Sequence, residues 1–197
     1  MKLRVFKILK HTKVEGPKIR YCIWVQGCSR HCKGCQAPHT WSHTGGKLYD
    51  TGEIIKDILA QKNIEGVTFL GGEPFEQAEA LGEIALAVKK NGLGVLCFTG
   101  NIIENLRLDS KNKTLIDNID LLIDGPFEQD KLDYSRPWCG SSNQRYHFLT
   151  NRYDEKIFTE YKNKVEKNIN KDGTVFMNGM GDFDEIMQKV DLIPIKK

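Results

Sequence analysis

Short apolar runs alternate with amphipathic stretches along most of this chain. Residues 3–9 alternate loosely between basic and apolar positions and predict an edge strand. Val14-Glu15-Gly16-Pro17 reads as a turn. Ile19 to Val25 (IRYCIWV) is rich in β-branched and aromatic residues and predicts a buried strand. Three further apolar runs, Val67–Leu70, Val95–Phe98 and Leu121–Ile123, are short and uninterrupted, as strands buried on both faces are. Between them the period changes. Asp50, followed three residues later by Glu53, predicts a helix start, and Ile54, Ile55, Ile58 and Leu59 keep helical spacing. The clearest helix is predicted over Phe75 to Lys90, where Ala78, Leu81, Ile84, Ala85 and Val88 share one face. Asn91-Gly92 supplies its stop. A weaker helical stretch includes Leu106, Leu115 and Ile116.

The later part of the chain is less regular. Residues 127–145 are polar and aperiodic, too long for an ordinary connection and therefore functional or mobile. Tyr146-His147-Phe148-Leu149 predicts a strand. Asp172-Gly173 lies between Val165–Ile169 and Val175–Met177 and predicts a β-hairpin. Phe183 to Val190 predicts a short terminal helix.

Strand, loop and helix thus alternate at least three times, which predicts an α/β fold with a parallel sheet covered by helices. In such sheets ligands sit at the C-terminal strand ends. Cys28, Gly72, Thr99 and Asp124 each come just after a predicted strand, so four polar or ligating features are expected on one rim.

Composition narrows the class. With 197 residues, the chain is long enough for one domain with a real core, and residues 1–197 are read as that unit. Apolar content of 40% and charged content of 28% suit a globular protein and oppose long disorder. The net charge, 29 − 26 = +3, comes from basic residues spread along the chain, so no nucleic-acid partner is expected. No apolar run is long enough to span a membrane. Lys2 and Arg4 are not followed by an apolar signal core, so a cytoplasmic protein without membrane contact is expected.

In a reducing cytosol, clustered cysteines are more often metal ligands than disulfides. Of the six cysteines, Cys22 and Cys97 lie in apolar runs and read as free buried thiols. Cys139, in a polar loop, has no assignment. Cys28, Cys32 and Cys35 form a C-x₃-C-x₂-C triplet on the loop after the first buried strand. Three such thiolates can grip three irons of a [4Fe–4S] cube and leave the fourth open to a small molecule. The rival reading is structural zinc with His31 or His39 as fourth ligand. Zinc sites usually pair two C-x₂-C units, or one with a distant His pair, and neither pattern is present. His31, His39 and His43 surround the loop and read as surface or supporting residues.

The other rim features each have two readings. Gly71-Gly72-Glu73-Pro74 is either a turn or a place where a ligand reaches the backbone. Glu73 either orients an amine or is a solvated charge. Thr99-Gly100 suits hydrogen bonds to a ribose or carboxylate, or a satisfied turn. Asp124-Gly125 suits a ligand contact, a helix cap or a turn. The run Gly140–Arg145 consists of hydrogen-bonding groups, available to order the long loop over the site.

Taken together, these motifs resemble the radical S-adenosylmethionine superfamily. Within it, the chain resembles the activating proteins of anaerobic ribonucleoside-triphosphate reductase, which are glycyl-radical enzyme activases. The likeness rests on Trp24-Val25-Gln26-Gly27-Cys28, the cysteine triplet, Cys35-x₅-Trp41, Gly71–Pro74, Thr99-Gly100, Asp124-Gly125 and Gly140–Arg145. It covers residues 14–150, leaving 151–197 as an extension, and implies an incomplete TIM-like β/α barrel. It implies that Cys28, Cys32 and Cys35 hold one [4Fe–4S] cluster, whose open iron chelates S-adenosylmethionine. Gly71, Gly72, Glu73 and Pro74 would receive the methionine amine, and Thr99 and Asp124 are further candidate ligand contacts. Reductive cleavage would give methionine and a 5′-deoxyadenosyl radical, which takes hydrogen from a glycine of a large partner, the anaerobic reductase. Flavodoxin or a similar low-potential donor would supply the electron.

Two features depart from the pattern. Many superfamily members carry an aromatic residue just before the last cysteine, against the adenine; here Gly34 stands there, as is usual in the activase branch, so that contact comes from elsewhere. The section after residue 150 is longer than the smallest activases need and leaves room for a different partner. Two other functions stay open at this level: a radical enzyme modifying a peptide or small molecule, and a zinc-stabilised binding module.

Overall fold

The run Arg20–Val25 is buried at every position and lies inside a seven-stranded sheet. In the computed structural model, which describes residues 1–169 and 171–182, that sheet has the order β3-β1-β2-β4-β5-β6-β7. Its strands are β1 (Lys2–Thr12), β2 (Arg20–Val25), β3 (Lys47–Asp50), β4 (Gly66–Gly71), β5 (Gly94–Phe98), β6 (Leu121–Asp124) and β7 (Arg145–Phe148). The central strands β2, β4, β5 and β6 run parallel, while β3, β1 and β7 pair antiparallel at the two sides. The fold is therefore α/β on a mixed sheet with a parallel centre. One expectation fails: β1 is not an edge strand. β3 pairs outside it, Lys2 opposite Asp50 and Val5 opposite Lys47. Four polar-flanked residues are too few to show a period, so nothing in the sequence announces β3.

Alternation along the parallel strands fills both faces of the sheet. Tyr21, Ile23 and Val25 of β2, with Val67, Phe69, Val95 and Cys97, pack under α1 (Thr51–Ala60) and α2 (Ala78–Lys90). Leu96, Leu121 and Ile123 point the other way, onto Trp138, Cys139 and Ile157. Cys22, Cys97 and Cys139 are all free and buried, so Cys139 is a core residue of this second face.

Local chemistry sets the helix limits. Asp50 starts α1 by accepting the Gly52 N–H at 2.9 Å. The predicted long helix begins instead as a 3₁₀ turn, Pro74–Gln77, and becomes α-helical at Ala78. The weak stretch after it breaks into two single turns, α3 (Ile103–Leu106) and α4 (Lys113–Ile116). Asp109 caps Lys111, and the Asn112 side chain donates to the Leu106 carbonyl, so the chain turns between them. A further single turn, α5 (Ile157–Glu160), had no sequence signal. At the N-terminal strand ends, fully buried Arg20 donates to Thr68 Oγ1, the Val67 carbonyl, Glu65 and Tyr153, so its buried charge is paired.

The predicted hairpin forms as β8 (Val165–Ile169) and β9 (Val175–Gly179). It docks near the start of the chain. Phe176 meets Trp24 edge-on at 5.7 Å, and Lys7 Nζ lies 4.8 Å from the Phe176 ring centre. Thr12 Oγ1 donates to Glu166 at 2.5 Å. The predicted terminal helix, Phe183 to Val190, lies outside the described residues. Among the described residues no helix is long and apolar enough to cross a membrane.

Glu15 is the buried anchor of this docking. It accepts the Gly179 N–H at 2.6 Å and Asn178 Nδ2 at 3.2 Å. Burial pushes its carboxyl up from 4.5 to about 7; Glu166 adds to the rise, and the two donors oppose it. A raised carboxyl favours the protonated folded state, so the contribution is full below pH 4.5 and is lost as pH rises through about 7. Metal-free protein is therefore expected to lose thermal stability between pH 5 and 8 relative to the Glu15→Gln variant, by up to roughly 3 kcal/mol. Parallel melting curves across that range check this; equal slopes for both proteins would contradict it.

Candidate active site

The C-terminal ends of the parallel strands open on one cavity. Cys28, Cys32 and Cys35 line it, together with Gly71, Gly72, Glu73, Pro74 and Thr99. Eight of the nine candidate residues thus share one wall. Asp124 does not line the cavity; its neighbour Gly125 does.

The cysteine loop is held at both ends. Gly27 and Cys28 donate their N–H groups to the Thr40 and Trp41 carbonyls at 2.8 and 3.0 Å. Cys35 N–H bonds back to the Cys32 carbonyl at 3.1 Å, and the Ala37 N–H points at Cys35 Sγ at 3.4 Å. Cys28 is buried, and burial pushes its thiol up, helped by Glu73 and Glu76. Backbone N–H groups of Arg30 and His31 on the sulfur pull it back. Loading a metal here therefore releases a proton from Cys28. Among the described residues no three His, Cys, Asp or Glu side chains gather tightly enough to hold one metal ion. The three cysteines line one cavity.

Gly72 is where β4 meets this loop. Its N–H donates to the Val25 carbonyl at 2.9 Å, and the next N–H, of Glu73, donates to the Gly27 carbonyl at 2.8 Å. A Cβ at Gly72 would stand 2.1 Å from that same Gly27 oxygen, so only glycine fits.

Glu73 is not a solvated charge. It is 1% exposed, and it accepts the Phe75 N–H, the Thr99 hydroxyl and the Gly100 N–H at 3.0, 2.7 and 2.9 Å. Burial raises its carboxyl; those donors and the Arg30 guanidinium pull it down. It ties the end of β4 to the end of β5 and fixes the glycine backbone beside the cysteines. The Thr99 hydroxyl, spent on Glu73, also accepts the Asn101 N–H at 3.1 Å.

Asp124 is fully buried in a cluster of its own. Arg145 donates to both its oxygens at 2.9 and 2.6 Å, the Ile103 N–H reaches it at 2.8 Å, and His147 Nε2 lies 3.0 Å away. Burial would raise its carboxyl, but these partners hold it below the usual range. Its oxygens cap α3 and tie β6 to β7, so the contact within reach of a ligand on this strand is Gly125. Arg145, the last residue of the hydrogen-bonding run, also pairs with Glu104 at 2.8 Å. Gln144, from the same run, lines the cavity.

Three residues without a clear signal in the sequence complete the site, two on the wall and one, Glu76, behind it. Glu76 accepts the Ser29 N–H at 2.8 Å and pairs with His43 Nε2 at 2.8 Å, bracing the start of the triplet. Arg30 lines the cavity and donates to Asn101 at 3.1 Å. Phe127 lines it from the long loop. Only its place two residues after Gly125 marked Phe127, and nothing in sequence marked Glu76. Gly34, at φ +72°, lies against the Gln129 side chain, where a Cβ would meet Cδ at 2.8 Å. Loop 127–145 therefore covers the side where an aromatic residue would otherwise stand.

A family model described as a 4Fe-4S single cluster domain matches residues 14–147. Two similar relatives are anaerobic ribonucleoside-triphosphate reductase-activating proteins. That of Pasteurella multocida is 32% identical over 66% of this chain and 88% of its own. That of Vibrio cholerae is 33% identical over 70% of this chain and 92% of its own. The chain belongs to the family of anaerobic ribonucleoside-triphosphate reductase-activating proteins. Membership makes it an oxidoreductase of the radical S-adenosylmethionine type, with a [4Fe–4S] cluster and S-adenosylmethionine as cofactors. QueE from Escherichia coli is a fainter structural likeness, with a TM-score of 0.43 and 19% identity over 51% of this chain and 53% of its own, too slight to bear on function.

The residues present fit a cluster. Three thiols face one space, and Trp41, which stacks on His31 at 4.6 Å, brings a buried Nε1–H with no partner among the described residues. A donor left unpaired beside thiolates suits sulfur acceptors, which such bonds tune.

Proposed function

We propose that this protein cleaves S-adenosylmethionine reductively at a [4Fe–4S] cluster held by Cys28, Cys32 and Cys35, and so places a glycyl radical on an anaerobic ribonucleoside-triphosphate reductase. The observation that carries the reading is the single cavity shared by the three cysteines and the Gly71–Pro74 turn, in a chain of this family. Cys28, Cys32 and Cys35 would hold the cluster, which would supply the single electron needed to split S-adenosylmethionine into methionine and the hydrogen-abstracting deoxyadenosyl group.

This chain's own residues do the positioning. Cys28, Cys32 and Cys35 supply three thiolates. The backbone at Gly71 and Gly72, braced by Glu73 and packed against the strand before the cysteine loop, receives the methionine amine. Arg30 on the same wall offers a positive charge to the carboxylate. Thr99 acts through Glu73. Asp124 acts through Gly125 and the α3 start. Phe127 and Gln144 line the cavity from the long loop and keep water from the reacting atoms, while Gln129 of the same loop lies against Gly34.

Around this site the parallel strands are read as an incomplete TIM-like barrel. Residues 1–197 are read as one domain with its core over 14–150 and an extension from 151. A flavodoxin-like donor in a reducing cytosol suits the thiolate ligands. The test is electron paramagnetic resonance of the reduced, reconstituted protein mixed with the anaerobic reductase and S-adenosylmethionine. A glycyl radical on the reductase that needs all components is expected; its absence at full cluster loading would overturn the reading.

A further inference from the structure

A second cavity, of about 220 Å³, adjoins the first and shares Leu70, Gly71 and Phe98 with it. One side is the sheet, through Trp24, Leu70 and Phe98. The other is the C-terminal hairpin, through Phe176, Asn178 and Met180. The hairpin lies beyond the residues that the family model matches, 14–147. It is nonetheless tied to the matched part by the buried bonds of Gly179 and Asn178 to Glu15, and Asn178 Nδ2 also reaches Thr12, just before it, at 3.1 Å.

We infer that this second cavity receives the glycine-bearing segment of the partner reductase, and that the hairpin is the wall that selects it. The inference rests on the activating reading above. A carbon radical formed at the glycine wall of the first cavity must react with what adjoins it, because it is too reactive to diffuse. The shared residues make the second cavity that neighbour. Its size excludes a folded domain and admits a chain segment. Its lining is mostly apolar and aromatic; Glu15 and Asn178 are spent on holding the hairpin, and the Gln36 amide on Tyr134 and the Gly181 carbonyl, so apolar contact is what this wall offers a peptide segment. Glycine alone brings its α-carbon to such a wall without a side chain in between. The step balances: the glycine Cα–H bond breaks, a C–H bond forms at C5′, and the unpaired electron stays on the glycine.

Phe176 is the residue to change, since it lines the second cavity and not the first. Phe176→Ala is expected to lower glycyl-radical yield on the anaerobic reductase at least about tenfold, as loss of an aromatic anchor does. Formation of 5′-deoxyadenosine with chemical reductant and no partner is expected to stay within about twofold of the parent protein. Phe176→Leu, which keeps apolar volume and spares the hairpin, is expected to fall in between. A photo-crosslinker at Phe176 is expected to capture the reductase peptide that holds the radical glycine. If the parent protein makes no glycyl radical, the activating reading fails, whatever the variants do. If it makes one and Phe176→Ala equals it, or the crosslinker captures only a second copy of this chain, the inference is overturned.

Discussion

Cys32→Ala protein, reconstituted anaerobically with iron and sulfide, is expected to retain no [4Fe–4S] cluster and to release no 5′-deoxyadenosine. The reason is a matter of count. The loop offers three sulfurs to the cavity, and those three thiolates are the protein's bonds to the iron–sulfur cube. The other three cysteines are buried in the core, Cys22 and Cys97 with thiols pushed well above their usual range, so none can substitute. Two remaining ligands leave a second iron without a protein bond. The fold is expected to survive, because Cys32 is only partly buried and makes no packing contact with either core cluster. Iron and sulfide analysis, with circular dichroism on the same sample, separates loss of the site from loss of structure. Full cleavage by a folded variant would refute the ligand assignment.

Gly72→Ala is expected to do comparable damage without removing a ligand. The new methyl would stand 2.1 Å from the Gly27 carbonyl oxygen, a backbone atom that also accepts the Glu73 N–H. It cannot be relieved by turning a side chain. The end of β4 must part from the cysteine loop, which shifts the amine-receiving backbone relative to Cys28. Displacement of reacting groups by about 1 Å costs on the order of a hundredfold in rate, and the strain costs about 1–3 kcal/mol in stability. Gly92→Ala is the control: its Cβ meets nothing within 4 Å, so only the stability cost of its φ of +77° is expected. Cleavage rates of the two variants, measured at equal cluster content, check this. Equal rates would mean that the close approach at Gly72 does not position the site.

Much of this was written in the chain. Uninterrupted apolar runs after residues 19, 67, 95 and 121 became the parallel strands, because strands buried on both faces have no polar positions to interrupt them. The rim followed from that, since Cys28, Gly72 and Thr99 directly follow strand ends. What stayed hidden depends on long-range partners. A four-residue strand such as β3 has no period, and β1 looked like an edge until β3 covered it. Glu73 and Asp124 read as ligand contacts because a sequence shows an acid at a strand end, not what fills its oxygens. Both are spent on neighbours over 20 residues away: Thr99 and Gly100 for Glu73, Arg145 and Ile103 for Asp124. The hairpin was legible as a hairpin from Asp172-Gly173, yet its docking on Glu15 and Trp24 was not, because both partners lie at the far end of the chain.

The central claim is that this cavity cuts S-adenosylmethionine. The direct measurement is anaerobic incubation of reduced, cluster-loaded protein with S-adenosylmethionine, followed by chromatography. Equal amounts of 5′-deoxyadenosine and methionine, dependent on both reductant and iron, are the predicted result. Neither product from protein carrying a full complement of iron and sulfide, or a colourless protein that binds one zinc instead, would contradict it.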